Sequence, residues 1–433
     1  MGTLFRFHCL LPPSGTLLLC VFLCIVKLQL VMDSDFEKES KRKRRKVEGE
    51  PQPSRMESLP HELILDIVSG LPVSSLVQFK SVCKGWSKLA GDPDLVSMHG
   101  TRMAENNPCL IFHCDYPLKN HLYFVELPAC IEKKEKVKKL RVPFWSAMPE
   151  FDVVGSCNGL LCLSDSLFSD ALYIYNPFTS NYQELPKSIQ YLNEELVFGF
   201  GFHPTTKEYK VIRIVYYKNT DRGGNRRAYR LNNMKSDVQI FTLGCSNWRS
   251  KGQVAYHLLQ SPSQVLVNGR LHWVTRPRRY SPRRSIISFD LAEEQFQEVL
   301  TPDCYTLNRR KYHLVVLGGC LSAVYCNYGR MEIWVMREYG VKESWNKKFS
   351  IGNYVPKGLE KEVNQSFKIS KIICKGRPVR VLCILKNGEI LLEYKSRALV
   401  SYDPVSGKFK DLMYQAIPKW FQAVVHVGSL NWI

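Results

Sequence analysis

Asn-Gly stands between apolar runs three times in this chain, and that recurrence restricts its possible folds more than any other feature. The pairs are Asn158-Gly159 before Leu160-Leu161, Asn268-Gly269 before Arg270-Leu271-His272-Trp273, and Asn387-Gly388 before Glu389-Ile390-Leu391. Both residues of such a pair tolerate positive φ, which the two-residue turn of a twisted β-hairpin requires. One strand later a second signature recurs, as Tyr175-Asn176-Pro177, Phe289-Asp290-Leu291 and Tyr402-Asp403-Pro404. Each is followed by an aromatic residue and an acidic-apolar pair: Tyr182 with Glu184-Leu185, Phe296 with Glu298-Val299, Phe409 with Asp411-Leu412. Gly318-Gly319, leading to Trp334, is a degenerate member. Hairpin units of about fifty residues, repeated over roughly 320, predict a β-propeller of about six blades, because radial packing protects edge strands that an open sheet would expose.

The composition from about Asn107 onward agrees. Short β-branched and aromatic runs such as Leu122-Tyr123-Phe124-Val125, Val211-Ile212-Arg213-Ile214-Val215 and Val381-Leu382-Cys383-Ile384-Leu385 alternate with turn signals, and no long amphipathic pattern interrupts them. The Trp and Tyr residues of the repeats read as core packing.

Ahead of that region lies a helical pattern. Pro60 suits a first helical turn, and Leu63, Ile67 and Leu71 follow at four-residue spacing until Gly70 and Pro72 stop the helix. Ser75 and Gln78 have capping-box spacing, and Leu76, Phe79, Val82, Trp86 and Leu89 extend an apolar stripe to Gly91-Asp92-Pro93. Three short helices are predicted. A module this small buries little of its own surface, so it either packs as a cap on the rest of the chain or offers apolar side chains to a partner.

Leu59-Pro60, Leu71-Pro72 and Val82-Cys83-Lys84-Gly85-Trp86 occur in the order of an F-box, and the segment from about Ser58 to His99 resembles one. The resemblance implies docking on the Skp adaptor of a cullin ubiquitin ligase through Leu59, Pro60, Leu63, Ile67, Leu71, Leu76, Val82, Cys83 and Trp86. The downstream region resembles the F-box-associated, kelch-like domain of a large plant family, at Asn158 to Cys162, Tyr175-Asn176-Pro177, Gly199-Phe200-Gly201-Phe202, Asn268 to Trp273 and the closing Val424 to Leu430. Only Gly318-Gly319 approximates the paired glycines of strict kelch repeats, so kelch substrate rules do not carry over. The expected organisation is a leader at 1–31, a disordered basic segment at 32–56, a small all-α F-box at 57–98 and an all-β domain at 99–433.

Fifteen cysteines include no CxxC pair, and Cys20/Cys24, Cys109/Cys114 and Cys157/Cys162 lack the second pair or His cluster that zinc requires. Buried, reduced thiols are the expectation. Leu17 to Val26 is an apolar run of ten, short for a membrane span, and Met32 opens a polar stretch. The leader is therefore expected to be either a start-site or gene-model extension, or an anchor or interfacial segment with the rest of the chain cytosolic. Lys41-Arg42-Lys43-Arg44-Arg45-Lys46 reads as a nuclear-import signal within a solvated segment, giving an expected location in nucleus and cytoplasm.

Catalysis finds no motif. There is no P-loop, nucleophile elbow or HExxH, and His203, His257, His272, His313 and His426 lack partners at telling spacings. No metal or cofactor is expected. Two functions follow: a non-catalytic substrate adaptor whose β domain binds a protein substrate, or a basic platform for RNA or an anionic surface, motivated by the net charge of +20. Arg222, Arg226, Arg227 and Arg230 lie in one insertion, Arg276, Arg278, Arg279, Arg283 and Arg284 in a second, and Arg309, Arg310 and Lys311 in a third. On one shared rim they would suit acidic or phosphorylated segments, with Arg278, Arg279, Arg283 and Arg284 as substrate contacts; on both rims they would be scattered solvated loops.

Overall fold

The computed structural model describes residues 60–82, 84–105, 108–114, 120–127, 137–168, 171–191, 194–218, 234–261, 264–277, 283–301, 312–327, 330–360 and 379–431. The leader, Lys41 to Lys46, Leu59, Cys83, Arg278 and Arg279 lie outside the described residues. So do Arg222, Arg226, Arg227, Arg230, Arg309, Arg310 and Lys311.

The helices are α1 (His61–Ser69), α2 (Val73–Val82), α3 (Lys84–Leu89) and α4 (Pro93–Glu105), with a single turn, α5 (Lys357–Glu360), far downstream. Two details differ from the sequence reading. Helix α2 begins at Val73, with Ser75 N–H and Leu76 N–H already bonded to Pro72 O, so Ser75 and Gln78 lie inside the helix rather than forming its capping box. Gly91-Asp92-Pro93 separates two helices: Asp92 Oδ1 accepts the Asp94 N–H and Pro93 occupies the first turn of α4, where its missing N–H costs nothing. The expected boundary after residue 98 therefore falls within α4.

Six antiparallel sheets follow. Blade 1 joins β1 (Cys109–Cys114), β2 (Leu122–Glu126) and β3 (Lys138–Lys139) to β25 (Phe421–His426), which pairs with β1 from Cys109 opposite His426 to Cys114 opposite Phe421. Blade 2 is β4 (Phe151–Cys157), β5 (Leu160–Asp165), β6 (Leu172–Tyr175) and β7 (Tyr182–Glu184). Blade 3 is β8 (Glu195–His203), β9 (Glu208–Lys218), β10 (Met234–Thr242) and β11 (Arg249–Gly252). Blade 4 has a divided inner strand, β12 (Leu258–Leu259) and β13 (Leu266–Val267), beside β14 (Arg270–Thr275), β15 (Ile286–Asp290) and β16 (Phe296–Val299). Blade 5 is β17 (Tyr312–Leu317), β18 (Cys320–Asn327), β19 (Arg330–Met336) and β20 (Trp345–Ile351). Blade 6 is β21 (Arg380–Ile384), β22 (Ile390–Tyr394), β23 (Ala398–Tyr402) and β24 (Phe409–Leu412). Neighbouring blades contact one another around the whole ring, through β14 in blade 4 and through inner strands elsewhere, with β21 touching β25 and β25 touching β4, so the fold is a closed six-bladed propeller.

The core lies between blades. Val154, Leu160 and Ile174 of blade 2 pack against Phe200, Val211 and Phe241 of blade 3, and equivalent clusters join the other neighbours. Asn158-Gly159, Asn268-Gly269 and Gly318-Gly319 have positive φ at both positions, as the two-residue hairpin demands. Asn387 does not; there Leu385 N–H bonds Glu389 O around a longer loop, and only Gly388 is left-handed, at φ 85°. The second repeated signature has a physical basis too. Asn176, Asp290 and Asp403 each accept backbone N–H groups two or three residues ahead, folding the turn after the third strand of blades 2, 4 and 6.

Candidate functional site

Strand direction gives the propeller two faces. The turn between first and second strands of each blade, and that between third and fourth, lie on the face where α4 enters β1; it is termed here the helical face. Connections from second to third strand, and from blade to blade, lie on the opposite, open face.

On the helical face the helices are tied to blades 1 and 2. Ser74 Oγ donates to Glu126 Oε1 at 3.1 Å, and Val73 lies so close to Gly428 that a β-carbon there would come within 2.6 Å of its Cγ1. His99 is buried with Nε2 at 3.1 Å from Leu71 O, and burial lowers its pKa, favouring the neutral ring. Arg102 of α4 ion-pairs with Asp66 of α1. These contacts turn one side of α1 inward, burying Leu65 and Val68, and leave Leu63 50% and Ile67 65% exposed.

The residues expected to dock an adaptor therefore separate. Pro60, Leu63 and Ile67 are exposed, and Leu71, Val82 and Trp86 are half-buried. Leu76 is a correction: it is fully buried, so it supports the module from within and offers nothing to a partner. Trp86 packs on Phe79 with ring centroids 4.5 Å apart, so part of its surface is likewise internal.

The inner strands surround a cavity of about 140 Å³, lined by Gly155, Ser156, Val316, Cys383 and Ala423. Gln264, from the gap between β12 and β13, reaches across it and accepts the Phe200 N–H at 3.0 Å. Gly155 makes room, since a β-carbon there would stand 1.7 Å from Gln264 Oε1. On the open face the channel mouth widens to about 470 Å³, lined by Asp152, Asp165, Glu194, Gln260 and Gln422 among others. Two of those acids have structural partners. Asp165 accepts the N–H groups of Leu167 and Phe168, and Glu194 pairs at 2.7 Å with Arg213, itself fully buried.

The strands flanking all three arginine-rich insertions open onto this same face: β9 and β10, β14 and β15, β16 and β17. Of the proposed contacts, Arg283 is exposed and Arg284 half-buried, whereas Arg276 is held by Glu195. The exposed apolar residues of the open face, such as Phe168 and Met413, have no signature in sequence; they are ordinary connection residues until strand direction places them on one face.

His272, His313 and His426 are buried, and desolvation depresses their pKa values to about 4, 3 and 3, as fits packed imidazoles. His203 instead caps a turn, its Nδ1 accepting the Thr206 N–H. Cys109, Cys157, Cys162 and Cys383 are buried, and burial raises their thiol pKa values, while Cys245 is exposed, unlike the general expectation for the thiols. Among the described residues no cluster of His, Cys, Asp or Glu is arranged to hold a metal, and no helix is long and apolar enough to cross a membrane.

The family described as F-box associated beta propeller domain matches residues 109–392, and that described as F-box-like matches 56–97. An F-box protein of Arabidopsis thaliana is 52% identical over 392 residues, covering 87% of this chain and 92% of its own length. The F-box protein CPR1 of the same plant is 29% identical, covering 87% and 89%. Among solved structures, the propeller domain of the Trilobed protease from Pyrococcus furiosus aligns at 11% identity and a TM-score of 0.36 over 71% of this chain and 81% of that one, too distant to bear on activity.

Proposed function

The chain belongs to the family of F-box proteins that carry an F-box associated β-propeller, and from that premise we propose that it is the substrate-recognition subunit of a Skp-cullin-F-box ubiquitin ligase. In this reading α1 to α3 dock the Skp adaptor and the propeller holds a protein substrate. The chain performs no bond chemistry. Its contribution is proximity: it confines a substrate near a ubiquitin-charged enzyme elsewhere in the assembly, replacing an encounter in solution by an intramolecular one.

The observation that carries the reading is the exposure of Leu63 and Ile67, one helical turn apart on α1, on a module otherwise braced against the propeller. Apolar side chains presented from a rigid helix are anchors for a partner at little conformational cost. Leu59 and Cys83 belong to the proposed docking set by family resemblance, and Lys41 to Lys46 are proposed to admit the chain to the nucleus.

The test is co-purification of the full chain with the Skp adaptor, comparing the parent with Leu63→Glu/Ile67→Glu. Parent binding that the double variant loses supports docking through α1. A parent that fails to bind the adaptor, yet binds RNA in a salt-sensitive manner, would replace this reading with the basic-platform alternative.

A further inference from the structure

The charge of this propeller is divided between its faces. Among the described residues, connections that leave from and return to the open face contain nine Lys and Arg against three Asp and Glu, whereas those of the helical face contain five against six. The described open-face connections thus carry +6 and the others −1. The positive charge is also uneven around the rim. From the β9–β10 connection round to that between β24 and β25, the open face holds seven of these nine cations and one of the three acids. Arg283, Lys357, Lys395 and Lys419 are exposed members of this arc.

Apolar exposure has the same polarity. Among the described residues the propeller exposes ten large apolar side chains, and seven belong to open-face connections, including Phe168 at 75% exposure and Met413 at 69%. Ile189, Leu300 and Val355 are others. Trp145, Leu167, Phe168 and Ile189 lie outside the positive arc and Leu300, Val355 and Met413 within it, and exposed apolar side chains amid charge of one sign mark an interaction surface.

We infer that the open face of blades 3 to 6 is the substrate-binding surface, and that it takes an acidic protein segment containing apolar residues. This rests on the adaptor reading above. Carboxylates of the segment would meet the cations of the arc, which raises the encounter rate and selects against basic segments. Its apolar residues would cover side chains such as Leu300, Val355 and Met413. These are aliphatic, and aliphatic side chains offer no flat ring for a nucleobase to stack on, which favours protein over single-stranded nucleic acid. At the channel mouth, Asp165 is engaged by backbone N–H groups and Glu194 by Arg213, so these two carboxylates are already committed within the fold. The face also points away from the helices, so adaptor and substrate would occupy opposite sides of one rigid ring.

The experiment uses the full chain bound to the Skp adaptor. Binding is followed by fluorescence anisotropy with a labelled peptide of alternating Asp-Glu and Leu-Phe pairs, a poly-Glu peptide of the same length, and oligouridylate. The expected result is salt-sensitive binding of the mixed peptide, weakened about tenfold or more by Arg283→Glu/Lys357→Glu/Lys419→Glu and unchanged by Lys207→Glu/Arg337→Glu/Lys408→Glu on the helical face. Poly-Glu should bind more weakly than the mixed peptide. Equal loss from both triple variants, poly-Glu binding as tightly as the mixed peptide, tighter binding of oligouridylate, or no binding of the mixed peptide would each overturn the inference. Adaptor co-purification is scored in the same preparations. A parent that retains the adaptor but fails with the peptides refutes only the face assignment, whereas a parent that lacks the adaptor refutes the reading beneath it.

Discussion

Glu393 in β22 accepts the backbone N–H of Ala423 in β25 at 2.7 Å. The same carboxylate is held by Arg380 Nη1 at 3.1 Å, and Arg380 Nη2 donates to Ala423 O at 3.2 Å. A buried ion pair in blade 6 therefore grips both polar groups of one residue in the strand that closes blade 1. Closure brings together residues more than three hundred positions apart, such as Cys109 and His426, and this pair fixes where the closing strand lies.

Glu393→Ala should destabilise the fold by about 3 to 5 kcal/mol, because it strands a buried guanidinium and an unbonded N–H together. Glu393→Gln, which keeps an acceptor, should cost less. Urea midpoints of the two variants would check the order.

Gly159 and Gly388 provide a second comparison. Both have positive φ, 82° and 85°, so alanine at either pays backbone strain of about 1 to 2 kcal/mol. At Gly388 a β-carbon meets open space, but at Gly159 it would stand 2.2 Å from Ser429 Cβ and 2.9 Å from Ser429 N. Gly159→Ala should therefore lower the melting temperature clearly more than Gly388→Ala, since it also displaces the C-terminal segment that Asn176 Nδ2 holds through Ser429 O and Asn431 O.

Acid should destabilise the protein well before its carboxylates are protonated. His313 and His426 are neutral in the fold to about pH 3 and His272 to about pH 4, whereas in the unfolded chain all three take up a proton near pH 6.5. Below that value the unfolded state binds more protons, so stability is fully present above pH 6.5 and falls as pH drops towards 4. Each ring contributes a slope approaching about 1.4 kcal/mol per pH unit in that window. Denaturant midpoints at pH 7 and pH 5 should differ, and His426→Asn should reduce the difference.

For the helical module, Leu63→Glu/Ile67→Glu should weaken adaptor binding by a few kcal/mol while leaving the melting temperature nearly unchanged, because both side chains are exposed in the chain alone. Leu76→Ala should instead lower stability by about 2 to 5 kcal/mol, as expected for a filled core position.

Replacing Lys41 to Lys46 with Ser should shift a fluorescently tagged chain from nucleus to cytoplasm. An unchanged distribution would remove the import role from that run.

Much of the architecture was legible in the sequence because it rests on local rules. Asn-Gly and Gly-Gly encode the primed turns at Asn158, Asn268 and Gly318 through backbone sterics alone, and Asn176, Asp290 and Asp403 encode their turns through short-range hydrogen bonds. Where a local signal misled, a neighbouring constraint overrode it. Pro72 starts α2 before Ser75 can cap it, and the loop at Asn387 spans from Leu385 to Glu389.

What the tertiary structure decided is which residues face outward, and on which side. Leu63 and Leu76 are equally apolar in sequence, but the folded module exposes one and buries the other. The arginine-rich insertions carry no mark of their rim; that depends on counting antiparallel strands around a ring that the pairing of β1 with β25 closes. Apolar periodicity specifies that a side chain packs, whereas the partner and the face follow from long-range contacts that no short window of sequence contains.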